Sequence, residues 1–380
     1  MQSSTLEIDM PAASAVPVIL REARFSDHAG VAVLMQRYGM DVMSRDDWQN
    51  LWSTNPAYLR RNGNWPIGWA LEDRNGKIVG FAGNIPVTCC FRGRELTAAV
   101  TTAWVVDSDY RNHSLLLASK YFAQKNVDLL LNTTAVHAAG QIFRAFHARP
   151  IPLADLETAL FWVLDYRGFA ASLLARKGVP LAGIARYPVA AGLNMVGWAK
   201  GKRLKRVSDS AVRSVNQFDD RFDEFWRELK QQSDVVLSAR DRETLQWHFR
   251  RSATAKGLWI YTHETRGRLT SYAVFQRQDK SEVGLTRVRL VDFQSLDQSL
   301  PGLDVIVAAA LERAKAQGVQ MLEVIGFAGG LRERLEQMAP FRRKLPSQLF
   351  YYKAVAKDLR APLADSAAWQ PGSYDGDSSL

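Results

Sequence analysis

The sequence predicts an α/β protein of two domains, each a mixed, twisted sheet flanked by helices. Strand and helix patterns alternate between residues 97 and 150, and part of this alternation recurs in the second half of the chain. The apolar runs are short and bounded by polar turn residues, as in buried strands. With 380 residues, 47% of them hydrophobic and 23% charged, the chain is long enough for two globular cores.

The first half shows the clearest succession of elements. An opening strand is predicted at residues 18–21, a helix after the capping pair Ser26-Asp27, and another helix at residues 45–59. A hairpin is expected around Asn75-Gly76, which is a strong two-residue turn signal. The remaining predictions alternate strand, turn, helix, strand and helix over residues 97–106, 107–111, 114–125, 127–132 and 138–146.

Three short segments of the first half recur in the same order in the second. The pairs are residues 78–82 with 269–274, 104–107 with 288–292, and 125–130 with 317–322. Two copies of one unit that contains a β-α-β segment are therefore expected. The second copy has no arginine-led turn after Asp292, and the helix predicted at residues 304–316 has the apolar pattern of core packing. We expect this copy to be mainly a structural scaffold that also forms one wall of the substrate site.

The repeat divides the chain into four parts. The predicted domains are residues 16–165 and 214–357, joined by a basic connector at 166–213. Residues 358–380 are rich in Ser, Gly, Asp and Pro and are expected to be a disordered tail.

The net charge of +10 is concentrated in the connector, where ten cationic residues from Arg167 to Arg213 stand beside aliphatic runs. This composition would suit contact with an anionic surface, such as a membrane, or with an acidic substrate. It is more typical of a solvated linker with a short helix packed between the domains, because charge runs alone specify partners poorly. Specific nucleic-acid binding is not expected, because basic and aromatic residues are not interleaved.

Composition also bears on compartment and metal content. No apolar run approaches the ~18 residues of a membrane span, and the acidic start of the chain lacks the basic region of a signal peptide. Cys89 and Cys90 are adjacent and indicate no disulfide framework, so a cytoplasmic location is expected. The six histidines do not combine with the cysteines in a metal-ligand pattern, and no metal is expected.

The turn after the strand at residues 97–106 is the strongest functional signal. A helix that begins directly after a strand aims free N–H groups and its positive dipole end at the turn, which suits a pyrophosphate. The sequence Val106-Asp107-Ser108-Asp109-Tyr110-Arg111 resembles the Val-x-x-x-Tyr-Arg motif of the GNAT acyltransferase superfamily, whose members bind acyl-coenzyme A there. GNAT enzymes place glycine or alanine where this chain has Ser114 and Leu116.

The resemblance implies two tandem GNAT-like domains and transfer of an acyl group from acetyl-CoA or another acyl-CoA to an amine of a small molecule or glycan. The tandem arrangement also resembles the peptidoglycan-bridge aminoacyl transferases. Aminoacyl transfer from tRNA and a non-catalytic binding role therefore stay open as alternatives. The coenzyme A site implied by the resemblance comprises Trp104, Val105, Val106, Arg111, Asn112, His113, Ser114, Leu115 and Leu116.

Acyl transfer to an amine needs a base for the amine proton and an acid for the leaving thiolate. GNAT enzymes often supply the acid as a tyrosine, at a position that Phe143 occupies here. Polar candidates lie on the loop after the strand that ends near Leu131, namely Asn132, Thr133, Thr134 and His137. His137 is the candidate base, because histidine titrates near neutrality, and Asn132 is the other catalytic candidate.

Overall fold

The structure is a computed structural model that describes residues 17–154, 156–178, 182–199, 211–345 and 349–380. These residues form two mixed β-sheets of eight and seven strands with helices packed on them, which confirms the predicted fold class.

The first half contains seven strands and five helices among the described residues, in the order β1 (Ile19–Glu22), α1 (His28–Arg37), α2 (Arg45–Ser53), α3 (Pro56–Leu59), β2 (Gly68–Glu72), β3 (Ile78–Phe91), β4 (Arg94–Val106), α4 (Ser114–Phe122), β5 (Leu129–Ala135), α5 (His137–Ala145), β6 (Arg149–Pro150) and β7 (Thr158–Val163). The connector contributes α6 (Tyr166–Arg176) and α7 (Ala182–Ala199).

The second half continues with β8 (Val212–Val215), α8 (Asp220–Gln232), β9 (Leu237–Ser238), α9 (Arg242–His248), α10 (Arg250–Thr254), β10 (Leu258–Thr265), β11 (Arg268–Arg277), β12 (Arg287–Ser295), α11 (Leu303–Ala316), β13 (Met321–Val324), α12 (Gly329–Met338), β14 (Phe341–Lys344) and β15 (Leu349–Ala354).

The two sheets follow one plan. Their orders are β1-β2-β3-β4-β5-β15-β6 and β8-β10-β11-β12-β13-β7-β14, and the short β9 pairs with β3. Neighbouring strands are antiparallel except at β4–β5 and β12–β13, which are parallel. A parallel pair needs a crossover, and α4 and α11 supply it. The repeated segments of the sequence occupy equivalent places in the two sheets.

One strand is exchanged between the halves. β7 comes from the first half but lies between β13 and β14 of the second sheet. β15 comes from the second half but lies between β5 and β6 of the first sheet. Each predicted domain, 16–165 and 214–357, therefore includes a strand that belongs to the other sheet. The halves are interlocked rather than joined only by the connector.

The first sheet is buried on both faces. Successive side chains of a strand point to opposite sides, and helices cover the apolar side chains on each side. Leu129 and Leu131 of β5 pack in one cluster with Trp52 of α2. Leu130 packs in another with Tyr121 of α4 and Phe143 of α5. The apolar side chains on both faces of the central strands therefore belong to the hydrophobic core.

The prediction of a disordered tail at residues 358–380 is wrong. Three 3-10 turns, at Lys357–Leu359, Pro362–Ala364 and Ser366–Ala368, follow β15. Trp369 is 4% exposed, its ring lies 4.8 Å from that of Tyr352, and its Nε1 donates to the carbonyl oxygen of Leu363 at 2.9 Å. A few aromatic anchors therefore order a segment whose composition is otherwise typical of disorder.

The connector is folded over most of its length, since α6 and α7 pack against each other. The lysine and arginine cluster between Lys200 and Arg206 lies outside the described residues. In the described part of the chain, no helix is both long and apolar enough to cross a bilayer.

Candidate functional site

The first sheet forks between its parallel strands. β4 and β5 are paired from Ala98 to Val100 and from Leu129 to Leu131. β4 continues to Val106 alongside β3, and β5 continues to Ala135 alongside β15, but the two are no longer paired with each other. Tyr121 of α4 sits at the branch point, with its hydroxyl 2.8 Å from the carbonyl oxygens of both Ala99 and Leu131. We call this gap the fork.

Two buried polar atoms line the start of the fork. Thr101 and Asn132 are the first residues past the last paired positions, and they are 1% and 7% exposed. Thr101 Oγ1 and Asn132 Oδ1 have no hydrogen-bond partner among the described residues. An unsatisfied buried polar atom costs ~1–3 kcal/mol, so both atoms indicate a place for a polar ligand or water.

A β-bulge shapes the β4 side of the fork. Thr102 pairs with Gly83 and Val105 with Phe81, so that Ala103 and Trp104 together face a single residue of β3. Ala103 has a φ of 50°, in the left-handed region. A bulge leaves backbone groups outside the ladder and redirects the strand. The fork therefore has backbone hydrogen-bonding groups in addition to its side chains.

The Asp377 carboxylate bridges the two sides of the fork. Its Oδ1 accepts hydrogen bonds from Thr133 Oγ1 at 3.2 Å and Thr134 Oγ1 at 3.0 Å, both on β5. It also accepts one from the side chain of Thr102 on β4. Burial raises the pKa of Asp377 above its ordinary value of 3.8, and the threonine hydroxyls only partly oppose this. The result is a carboxylate suited to accepting a proton.

The second half anchors the segment that carries Asp377. Arg240 is 1% exposed, and its guanidinium pairs with Asp292 of β12 at 3.0 Å and with Asp375 at 3.2 Å. These carboxylates raise the pKa of Arg240 well above its ordinary value despite burial, so the group stays charged. Tyr374 donates from its hydroxyl to the carbonyl oxygen of Ala239 at 2.6 Å.

A second set of contacts holds the residues after Asp377. Gln276 donates to the carbonyl oxygen of Ser379 at 3.1 Å, and Gln278 to that of Ser378 at 3.2 Å. His248 Nε2 lies 2.7 Å from Ser379 Oγ. Burial, helped by the charge of Arg240, lowers the pKa of His248 to about 3, so this imidazole is neutral at ordinary pH.

A cleft of about 800 Å³ opens beside Asp377. Thr102, Ala103 and Trp48 line it from the first half, and Gln276 and Arg251 line it from the second. Trp48 Nε1 is buried without a partner among the described residues. The cleft has the volume of a small-molecule site and meets the fork at Asp377.

The architecture of the chain is similar to that of several solved structures. A GCN5-related N-acetyltransferase from Anabaena variabilis matches with a TM-score of 0.55 and 9% identity, over 89% of this chain and 73% of that one. Saccharomyces cerevisiae N-myristoyltransferase with bound myristoyl-CoA matches with a TM-score of 0.55 and 12% identity, over 91% and 80%. A further structure of that enzyme, with myristoyl-CoA and inhibitors, gives 0.56 and 14%, over 91% and 81%.

The chain has a tandem GNAT fold. No family model matches its sequence, and no curated protein matches it either. At identities of 9–14%, the fold is what is shared with these neighbours. The fold predicted from the motif at Val106–Arg111 and from the internal repeat is thereby confirmed.

In this GNAT fold, the strand residues of the coenzyme A site implied by the resemblance form one edge of the fork. Trp104 is half-buried, and its ring lies 5.4 Å from that of Phe143 and 6.1 Å from that of Tyr121. Val105 is buried and Val106 half-buried. These three residues lie beyond the branch point, on the part of β4 that is free of β5.

The predicted phosphate turn differs from a glycine loop. Ser108–His113 form a 3-10 helix that leads directly into α4, and the N–H of Ser114 donates to the carbonyl oxygen of Arg111. His113, the N-cap of α4, makes no capping hydrogen bond with its side chain. The N–H of Ser114 is therefore already bonded, and the turn offers a ligand a set of exposed side chains, among them Arg111, Asn112, Leu115 and Leu116.

The catalytic candidates lie in different surroundings. Asn132 lies at the fork as one of its unsatisfied residues. His137 is the first residue of α5, and its side chain lies outside the described part of the structure. Phe143 is 1% exposed and lies 5.5 Å, centroid to centroid, from the ring of Tyr351. It is a core residue of α5.

Sequence reasoning missed Asp377, because it lies in the segment expected to be disordered. For Thr101 and Thr102 the sequence predicts only a place in a strand. The available signal was the presence of Trp369 and Tyr374 within a short polar segment, since large aromatic residues are uncommon in disordered tails. In the described residues, no group of three or more His, Cys, Asp or Glu side chains could hold a metal ion.

Proposed function

We propose that this chain transfers an acyl group from an acyl-CoA thioester to the amine of an acceptor bound in the cleft. The observation that carries the proposal is the fork, where the buried Thr101 Oγ1 and Asn132 Oδ1 lack partners and Asp377 lies across the opening. The pantetheine arm of coenzyme A has amide donors and acceptors that would satisfy such atoms. Structural neighbours with bound myristoyl-CoA support the same class of donor.

The donor would lie across the predicted binding residues. Its pantetheine arm follows Trp104, Val105 and Val106 into the fork, and its pyrophosphate meets the start of α4 at residues 112–116. The positive end of the helix dipole and the exposed Arg111 favour the phosphates electrostatically. The Arg111 side chain is exposed, so it is accessible for this role.

The proposed reaction begins with the acceptor amine in the cleft. Its nitrogen attacks the thioester carbonyl carbon, a C–N bond forms, and the C–S bond breaks. Asp377 takes the proton that the nitrogen loses. Backbone N–H groups at the Ala103 bulge stabilise the oxyanion. The thiolate leaves and takes a proton from water, because Phe143 has no hydroxyl to donate. His137, at the start of α5, is the second candidate for the base.

The acceptor is a small-molecule or glycan amine. The cleft volume of about 800 Å³ suits a ligand of that size, and its wall combines Trp48 with polar groups such as Gln276. The acyl group is acetyl or a longer chain.

Titration calorimetry with coenzyme A, acetyl-CoA and a long-chain acyl-CoA tests the first step. We expect binding of at least one thioester. A thiol-release assay with amino sugars, polyamines and small peptides then tests transfer. Failure of a folded protein to bind any of the three ligands would overturn the proposal. Binding without thiol release from any acceptor would favour a non-catalytic role, and retention of aminoacyl-tRNA instead would favour the aminoacyl-transfer alternative.

A further inference from the structure

The helices of the connector form a unit that is fixed to the second sheet on one side. Ser172 of α6 donates from its hydroxyl to the carbonyl oxygen of Gly284 at 3.0 Å. Tyr166 and Phe169 of α6 pack on the cluster that contains Phe341 of β14. A Cβ on Gly197 of α7 would lie 2.3 Å from the Tyr166 hydroxyl, so the two helices cross closely. We call α6 and α7 the helix pair.

The outward side of α7 is apolar and uncovered. Tyr187, Met195 and Val196 are 49%, 70% and 44% exposed. At about 100° per residue, Met195 lies roughly 80° from Tyr187 and roughly 100° from Val196 around the helix axis, so Met195 is at the centre of a broad exposed side that Tyr187 and Val196 border. Ala191 and Gly192, which lie between them, are also exposed, and a Cβ added to Gly192 would meet open space. Large apolar side chains that are exposed together are typical of a surface that binds another molecule or a membrane.

The charged residues of the connector are cationic from Tyr166 to Ser208. Residues 166–208 contain no Asp or Glu. Arg186 and Arg167 flank the ring of Tyr187, with Cζ 5.0 Å and 5.7 Å from its centroid. Arg176 and Lys177, at the end of α6, are exposed. The helix pair thus combines exposed apolar side chains with exposed cations.

Three kinds of partner can be compared on this basis. A nucleic acid would engage the cations but leave Met195 and Val196 in water. A second copy of the chain would cover the apolar face but bring two cationic surfaces together. An anionic lipid surface satisfies both features, because apolar side chains enter the boundary below the headgroups while cations meet the phosphates. We propose that the helix pair docks the protein on the surface of an anionic phospholipid membrane.

Vesicle flotation of the full chain tests this proposal, with phosphatidylcholine vesicles compared with vesicles that also contain phosphatidylglycerol. We expect wild type to float with the anionic vesicles and to dissociate as salt rises, because the electrostatic part is screened. The double variant Met195→Asp/Val196→Asp should lower the partition coefficient by about tenfold or more. Reversing Arg176 and Lys177 to Glu should lower it by at least ~fivefold per cation.

Two controls separate docking from folding and general charge. Val33→Asp changes a valine on α1 that is 56% exposed, and Arg74→Glu changes an exposed arginine in the β2–β3 turn. Both should float like wild type, and thermal unfolding should be unchanged in all variants. The proposal is overturned if wild type ignores anionic vesicles at low salt, or if the Met195 and Val196 variant floats normally. It is also overturned if that variant instead dissociates a dimer, or if wild type retains RNA but no vesicles.

Discussion

Thr133 Oγ1 donates a hydrogen bond to Asp377 Oδ1 at 3.2 Å, across 244 positions of sequence. This contact closes the opening of the fork with a residue from the far end of the described chain. The approach is close at the backbone too, since a Cβ on Gly376 would lie 1.9 Å from Thr133 Oγ1. We call the contacts of Arg240, Gln276, Gln278 and His248 with residues 375–379 the anchoring network. The fork of the first sheet, this network and the segment that carries Asp377 therefore form one site.

Asp377→Asn separates catalysis from stability. We expect turnover to fall by ~10²-fold or more, because amide nitrogen and oxygen cannot accept the proton, while coenzyme A affinity stays unchanged. A raised pKa means that the acid form of Asp377 is the one favoured by folding. Its stabilising effect is present below the unfolded pKa and is lost as pH rises through the folded one. At neutral pH the variant should unfold at the same or a higher temperature.

The pH profile supplies a second readout for Asp377. Wild-type turnover should rise with pH through the raised pKa of the carboxylate, and this limb should be missing in Asp377→Asn. Asp365→Asn, an exposed change in the same segment, should behave as wild type in every assay. If Asp377→Asn turns over normally, the base lies elsewhere, and His137→Ala becomes the informative variant.

Arg111→Glu tests the phosphate end of the donor site. The substitution places a negative charge beside the start of α4, where the helix dipole is positive and the phosphates are proposed to lie. We expect coenzyme A affinity to fall by about tenfold, with a smaller effect in high salt. Calorimetry against dephospho- and intact coenzyme A measures it. Arg74→Glu makes the same change of charge in a distant exposed turn, and an equal loss there would argue against a specific contact.

Thr101→Val tests the meaning of the unsatisfied fork atoms. Replacing a buried hydroxyl that has no partner by a methyl group of similar shape should leave the free energy of unfolding unchanged or raise it by about 1 kcal/mol. Acyl-CoA binding should weaken, since the hydroxyl is proposed to meet the pantetheine arm. Denaturant unfolding with and without acetyl-CoA gives both numbers. A less stable apo-protein would instead mean that Thr101 has a structural partner, such as a bound water.

Local pattern in the sequence was sufficient for much of the fold. The turn at Asn75-Gly76 joins β2 and β3 as predicted, and the recurrence of 78–82 at 269–274 identified β3 and β11 as equivalent strands. These features depend on short-range chemistry, such as turn residues and alternation, which a sequence displays directly.

The exchanged strands and the ordered terminal segment were beyond such reasoning. The pattern of β7 shows that it is a buried strand, but not which of two similar sheets it joins. The order of residues 369–380 depends on partners such as Arg240 and Gln276, which lie more than 90 positions away in the chain. The position of Asp377 at the fork depends on these long-range contacts, so local sequence patterns could not predict it.

Acidification offers a last test of the anchoring network, through His248. This imidazole is 5% exposed, and burial lowers its pKa to about 3, against an ordinary value of 6.5. The folded state therefore prefers the neutral ring, whereas the unfolded chain binds a proton below pH 6.5. The stabilising effect is complete above pH 6.5 and is lost as pH falls toward 3. Below pH 6.5 the slope approaches ~1.4 kcal/mol per pH unit.

Urea unfolding at several pH values above pH 5, where carboxylates with ordinary pKa values contribute little, measures this slope. His248→Gln keeps a polar group near Ser379 but cannot be protonated, so we expect a lower stability at neutral pH and a flatter dependence on pH. His113→Gln, at the start of α4, should retain the wild-type slope. In wild type, turnover should fall reversibly on acidification, with the same pH dependence as the free energy of unfolding. The reason is that the contact between His248 and Ser379 helps to hold the segment that carries Asp377. Equal slopes in wild type and His248→Gln would show that protonation of His248 does not govern the acid response.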